Sequence, residues 1–152
     1  MKKKMVFGFI FVVFFALQGQ AVFAQSDQLN FRVHQANLFP SGKVEDITNR
    51  VQGAALGVAS GSLMFVLMFK DGSEITFDFT ESNRTADGWS LKGGRRLSDS
   101  GNYLPGYYNG EFKLPPSDEW SRSHGADKYC FVQIKDDRGN WVLFFSGTPM
   151  SF

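Results

Sequence analysis

The side chains best suited to chemistry lie between residues 82 and 127, and they are aromatic, not nucleophilic. Trp89, Tyr103, Tyr107, Tyr108 and Trp120 fall there among Gly88, Gly93, Gly94, Gly101, Gly106, Gly110 and Gly125 and the prolines Pro105, Pro115 and Pro116. Tyrosine and tryptophan join a flat apolar face to a hydrogen-bonding tip. Beside Asn102, Asn109, Asp118 and Glu119, such rings can cover the C–H face of a sugar while amide and carboxylate groups take its hydroxyls. The plainer alternative is that they close the ends of a small β core. Trp89, Tyr103, Tyr107, Tyr108 and Trp120 are the candidate ligand-binding set. Lys92, Arg95 and Arg96 flank Gly93-Gly94, and guanidinium groups beside a Gly-Gly turn can hold a phosphate, a sulfate or a carboxylate. These three are the candidate anion-binding residues, with a solvated loop as the alternative.

Catalytic signatures are missing. Ser60, Ser62, Ser123 and Ser146 sit in no Gly-x-Ser-x-Gly elbow. His124 adjoins Ser123, but a nucleophile and its base also need a third group to orient them. Asp118 and Glu119 are adjacent, so on a strand they point apart, whereas paired acid–base work needs carboxyls converging across a cleft. His34, His124 and Cys130 lack zinc-ligand spacing. The run Asp136-Asp137-Arg138-Gly139-Asn140 lacks the alternate oxygens and closing Glu of a calcium loop. The expectation is therefore a protein that is not an enzyme, with no catalytic residue, no metal and no cofactor.

The elements that must position these groups are mainly strands. Ser62–Phe69 is a continuous apolar run, expected to be buried on both faces. Asp71-Gly72 supplies a turn, and Glu74–Thr80 then alternates with Ile75, Phe77 and Phe79 on one side. A second hairpin joins Tyr129–Lys135 to Trp141–Phe145 across Asp136–Asn140, placing Cys130 on one face with Val132 and Ile134 as a buried thiol. Phe31 and Val33 start another strand. In the glycine-rich middle, short strands are expected near 89–92 and 107–114, with Asn109-Gly110 reading as a tight turn. Ile47, Val51, Ala54 and Val58 recur at helical spacing, which predicts one short helix over residues 43–59. There Gly53, Gly57 and Gly61 would let a neighbour approach closely. The fold class is mainly β: a small antiparallel sandwich or partly open barrel of five to eight strands, with that helix packed on it.

Composition and targeting bound the function. The chain has 152 residues, 43% hydrophobic and 20% charged, which excludes disordered and collagen-like classes. Lys2-Lys3-Lys4, the uncharged run Met5–Leu17 and the small-residue site Val22-Phe23-Ala24 have the anatomy of a secretory signal peptide. Residues 1–24 are assigned to it, and residues 25–152 to a single β-rich domain that is secreted or periplasmic. Without the three leader lysines, 13 Lys+Arg face 15 Asp+Glu, a balance without the basic footprint of a nucleic-acid binder. No stable membrane insertion is expected after cleavage, because Pro149 interrupts the last strand and a membrane barrel needs unbroken alternation. Cys130 is the single cysteine, so packing and not a disulfide holds the fold. The function expected is an exported binding module that recognises a glycan, a surface polymer or a partner protein through its aromatic loops. The rivals are a structural subunit of an envelope or cell-surface assembly, and a soluble barrel carrying a lipid in a hollow interior.

Overall fold

The computed structural model describes residues 28–59 and 61–150. The assigned leader, residues 1–24, and the first three residues of the expected domain lie outside the described residues. The described residues form nine strands: β1 (Gln28–Leu38), β2 (Glu45–Asp46), β3 (Val51–Ala59), β4 (Ser62–Phe69), β5 (Glu74–Thr85), β6 (Gly88–Leu97), β7 (Tyr108–Lys113), β8 (Cys130–Asp136) and β9 (Trp141–Pro149). One short helix, α1 (Glu119–Ser123), lies between β7 and β8. Every pairing is antiparallel. Strands β3 to β9 follow one another in order, and β9 returns to pair with β1 from Leu143↔Leu38 to Pro149↔Phe31. The result is a closed eight-stranded barrel with the two-residue β2 added beside β1. The expected mainly β antiparallel fold is borne out, as a barrel that closes fully and leaves its strands without free edges.

The alternation in the sequence builds the interior. Phe65 and Leu67 of β4, Phe77 and Phe79 of β5, Val132 and Ile134 of β8 and Leu143 and Phe145 of β9 all point inward and are essentially inaccessible. The rings meet across the barrel: Phe31 lies 5.9 Å from Phe145 and 6.1 Å from Phe112, and Phe65 lies 5.7 Å from Phe145. Cys130 is buried and free, and burial pushes its thiol up to about 11. From β5 to β8 most outward positions are polar, with Leu97 and Phe131 as apolar exceptions. Both expected hairpins form. In the first, Gly72 has φ +94° and the Ser73 carbonyl accepts from Phe69 N–H at 2.9 Å. In the second, Gly139 has φ +87° and the Asn140 carbonyl accepts from Asp136 N–H at 2.9 Å.

Three expectations fail for identifiable reasons. Residues 43–59 hold no α-helix: Glu45–Asp46 and Val51–Ala59 are strands, with a 3-10 turn at Thr48–Arg50 between them. A bulge opposite Phe69 and Met68 separates Val51 from Gly53. It places both Val51 and Ala54 inward, so a strand shows the three-residue spacing of a helix. Asn109-Gly110 is not a turn but the middle of β7. A side chain at Gly110 would sit 3.1 Å from the Gln133 carbonyl and 3.2 Å from the Phe79 ring, so glycine serves close packing there. The run Ser62–Phe69 is not buried on both faces. Met64, Val66 and Met68 point outward and keep partial exposure.

Candidate functional site

The barrel splits the candidate aromatics between its two ends. The loop joining β6 to β7 opens at one end with those after β1, β4 and β8, and the β7–β8 connection opens at the other. Trp89 stands one pairing from the start of β6 and stacks on Phe112 at 5.5 Å, with the Arg84 guanidinium 4.4 Å above its ring. It caps the core at the end where the β5–β6 turn lies. Trp120, on α1 near that end, is 64% exposed and stacks on His124 at 4.0 Å. Asp118 starts α1, its carboxylate accepting from Ser121 O–H at 2.8 Å and then Ser121 N–H at 2.9 Å, which holds it below the usual carboxylate range. Tyr108 opens β7 toward the opposite end and packs edge-on against Phe77 at 5.1 Å. Trp89 and Tyr108 are partly buried and pack against the core.

Tyr103 and Tyr107 do come together, and they do so around Arg95. The chain after β6 turns at Ser98–Asn102, where Ser98 N–H donates to Asn102 O at 2.8 Å. It then runs back beside β6, with a bridge from Leu97 to Tyr103 and Leu104 N–H donating to Arg96 O at 2.8 Å. Tyr103 thereby lies against the outer face, where its hydroxyl donates to Asp78 Oδ2 at 3.0 Å. That bond, followed by the charge of Asp78, raises the Tyr103 hydroxyl above its ordinary value. The Arg95 Cζ lies 4.9 Å from the Tyr103 ring centre and 4.8 Å from that of Tyr107. Both rings are more than half exposed. Arg95 Nη2 donates to the Leu104 carbonyl at 3.4 Å, while its Nε and Asp78 Oδ1 are buried with no partner. Among the described residues Arg95 forms no ion pair, although Asp78 is its cross-strand neighbour.

The basic cluster is divided by a bulge. Between Leu91↔Gly110 and Gly94↔Tyr108, β6 carries one residue more than β7. Gly93 takes φ +68° there, a left-handed conformation natural to glycine. Leu91 and Gly94 consequently both face inward, Lys92 and Arg95 outward, and Arg96 inward opposite Phe77. Of the three predicted anion-binding residues, two share the outer face and Arg96 departs from them.

Lys92 also lines a shallow groove of about 160 Å³ on that face, with Ser90, Asn109, Glu111, Gln133 and Lys135. The exposed Trp141, with Lys135 Nζ 4.8 Å over its ring, stands at the same register position of the neighbouring strand. Sequence reasoning missed Asp78, Trp141, Gln133 and Lys135. Their alternation was visible, but only the order of strands brings them beside Arg95 and Lys92. His34, exposed at the β1 bulge opposite Ser146 and Gly147, stacks on Tyr129 at 3.9 Å. It, His124 and the interior Cys130 are not brought together. No protein-family model matches the chain, and no curated protein and no solved structure shows significant similarity to it.

Proposed function

We propose that the protein is an exported binding module that grips an acidic group of a glycan or surface polymer at Arg95, between Tyr103 and Tyr107. The observation that carries this reading is a guanidinium set between two exposed tyrosine rings, with no carboxylate among the described residues paired to it. Arginine offers a planar fork of donors matched to a carboxylate or sulfate, and stacking on rings fixes the fork before the ligand arrives. Lys92 adds positive charge on the same face. The exposed tyrosines offer C–H stacking to a sugar beside the charge. Export rests on the leader anatomy of residues 1–24. Lipid carriage finds no support in an interior where phenylalanine rings meet one another.

The test is titration with galacturonate against glucose, followed by tyrosine fluorescence. Galacturonate is expected to bind at least tenfold more tightly, and Arg95→Gln to remove that preference, as befits loss of a charge-assisted hydrogen bond. Equal binding of both sugars, or an Arg95→Gln variant with unchanged preference, would overturn the reading.

A second reading, an assembly subunit, is favoured by one specific surface. Gly53, Ala55 and Gly57 of β3 alternate outward beside Met68, Val66 and Met64 of β4, forming an apolar strip on the barrel wall. A native mass that grows with protein concentration would support it.

A further inference from the structure

We propose, building on Arg95 as an anion grip, that the outer wall of β6, β7 and β8 is a track for an extended acidic polysaccharide, with Arg95 at one end. The register lays the side chains out in rows across the strands. Ser90, Glu111 and Gln133 stand opposite one another in one row. Asn109 and Lys135 are paired in the next, with Lys92 beside them in the bulge. Arg95 and Tyr107 form the third. Tyr107, Asn109 and Glu111 succeed one another at every second residue, so the rows are about 7 Å apart and the track is roughly 13 Å long. That length takes more than one sugar ring.

The chemistry of the rows selects a sugar chain over a peptide. The sheet here is held by backbone hydrogen bonds on both sides of β6, β7 and β8. A peptide therefore cannot add itself as another strand, the usual way an extended peptide is caught by a sheet. Recognition falls to side chains, and these are short groups that both donate and accept: the Ser90 hydroxyl and the Asn109 and Gln133 amides. Such groups match sugar hydroxyls. Glu111, held 3.5 Å from Lys113, accepts from hydroxyls. Lys92, Lys135 and Arg95 meet the acidic groups. The groove lacks apolar holes for peptide side chains: Leu91 and Gly110 are the apolar residues of its lining. Exposed Trp141 at the β8 side offers a face on which a ring can stack.

The experiment compares polygalacturonate, the galacturonate monomer, dextran and poly-glutamate by calorimetry. The protein is expressed with its leader and recovered as the host processes it. Polygalacturonate is expected to bind at least tenfold more tightly per site than the monomer. The double variant Asn109→Ala/Gln133→Ala should bring the polymer down to the monomer's affinity and leave the monomer unchanged, since two hydrogen bonds correspond to about tenfold or more. In the unaltered protein, the side-chain amide NMR signals of Asn109 and Gln133 should move with the polymer and stay in place with the monomer. This readout does not depend on the variant folding. Equal affinity for monomer and polymer, or stationary amide signals, overturns the track while leaving Arg95 as the grip. Poly-glutamate binding as tightly as polygalacturonate overturns the choice of a sugar chain. Failure of every acidic probe overturns the reading of Arg95 itself.

Discussion

Replacing Gly94 with alanine probes the joint on which both the barrel and the site depend. A methyl group at this position would lie 2.6 and 2.7 Å from two carbons of the Phe79 ring and 2.8 Å from the Tyr108 carbonyl oxygen. Neither neighbour gives way easily. Phe79 is fully buried, lies 6.4 Å from Phe77 and also approaches Gly110, while the carbonyl belongs to the β7 backbone. Overpacking of this kind costs about 1–3 kcal/mol, and two rigid neighbours place it toward the upper part of that range. Alanine also restricts the unfolded chain, which returns about 0.4–1 kcal/mol. The net expectation is a loss of about 2 kcal/mol in urea unfolding followed by tryptophan fluorescence. Phe79→Leu removes the ring contact but not the carbonyl contact. The double variant should therefore be less destabilised than the sum of the two single ones, with a coupling of about 1 kcal/mol. A neutral or stabilising Gly94→Ala, the ordinary outcome for glycine in an open strand, would refute the approach of β6, β7 and Phe79. A strictly additive cycle would refute the ring contact alone. Because Gly94 directly precedes Arg95, a folded variant should also bind galacturonate more weakly.

Two further outcomes follow from titratable groups. Cys130 faces the interior with its thiol raised by burial to about 11, so alkylation at pH 8 should proceed only as fast as the barrel opens. Rapid labelling without denaturant would place the thiol on the surface. The Asp136 carboxylate is lowered first by the Asn140 backbone N–H, which it accepts at 2.8 Å, and also by Arg138 N–H at 2.9 Å. A lowered folded value means that its contribution to stability is complete above the unfolded value near 4 and is lost as pH falls through the folded one. The stability gap between the native protein and Asp136→Ala should therefore be constant from about pH 5 to 7 and shrink below pH 4. A gap that widens on acidification would contradict the turn geometry.

Local chemistry alone determined a good part of this molecule. Ile75, Phe77 and Phe79 alternate with polar residues, as do Cys130, Val132 and Ile134, because a strand places every second side chain on one face. Those strands, their Asp-Gly and Arg-Gly-Asn turns and the buried thiol were legible without coordinates. The bulges were not. At Val51–Gly53 and at Lys92–Gly93 an extra residue shifts the phase. It made one strand resemble a helix and put Lys92 and Arg95, three residues apart, on the same outer face. A bulge shows itself only when the partner strand is known. Closure was equally hidden, since β1 and β9 meet across more than 100 residues of chain and no nearby residue specifies their pairing. The candidate site belongs to this second kind. Asp78, Arg95, Tyr103 and Tyr107 come from two strands and a returning loop, and Gln133, Lys135 and Trp141 from two more. Their residue types were legible as binding chemistry. That Tyr103 and Tyr107 flank a cation while Trp89 and Tyr108 close the core was decided by the winding of the barrel, which assigns each ring to an end and a face.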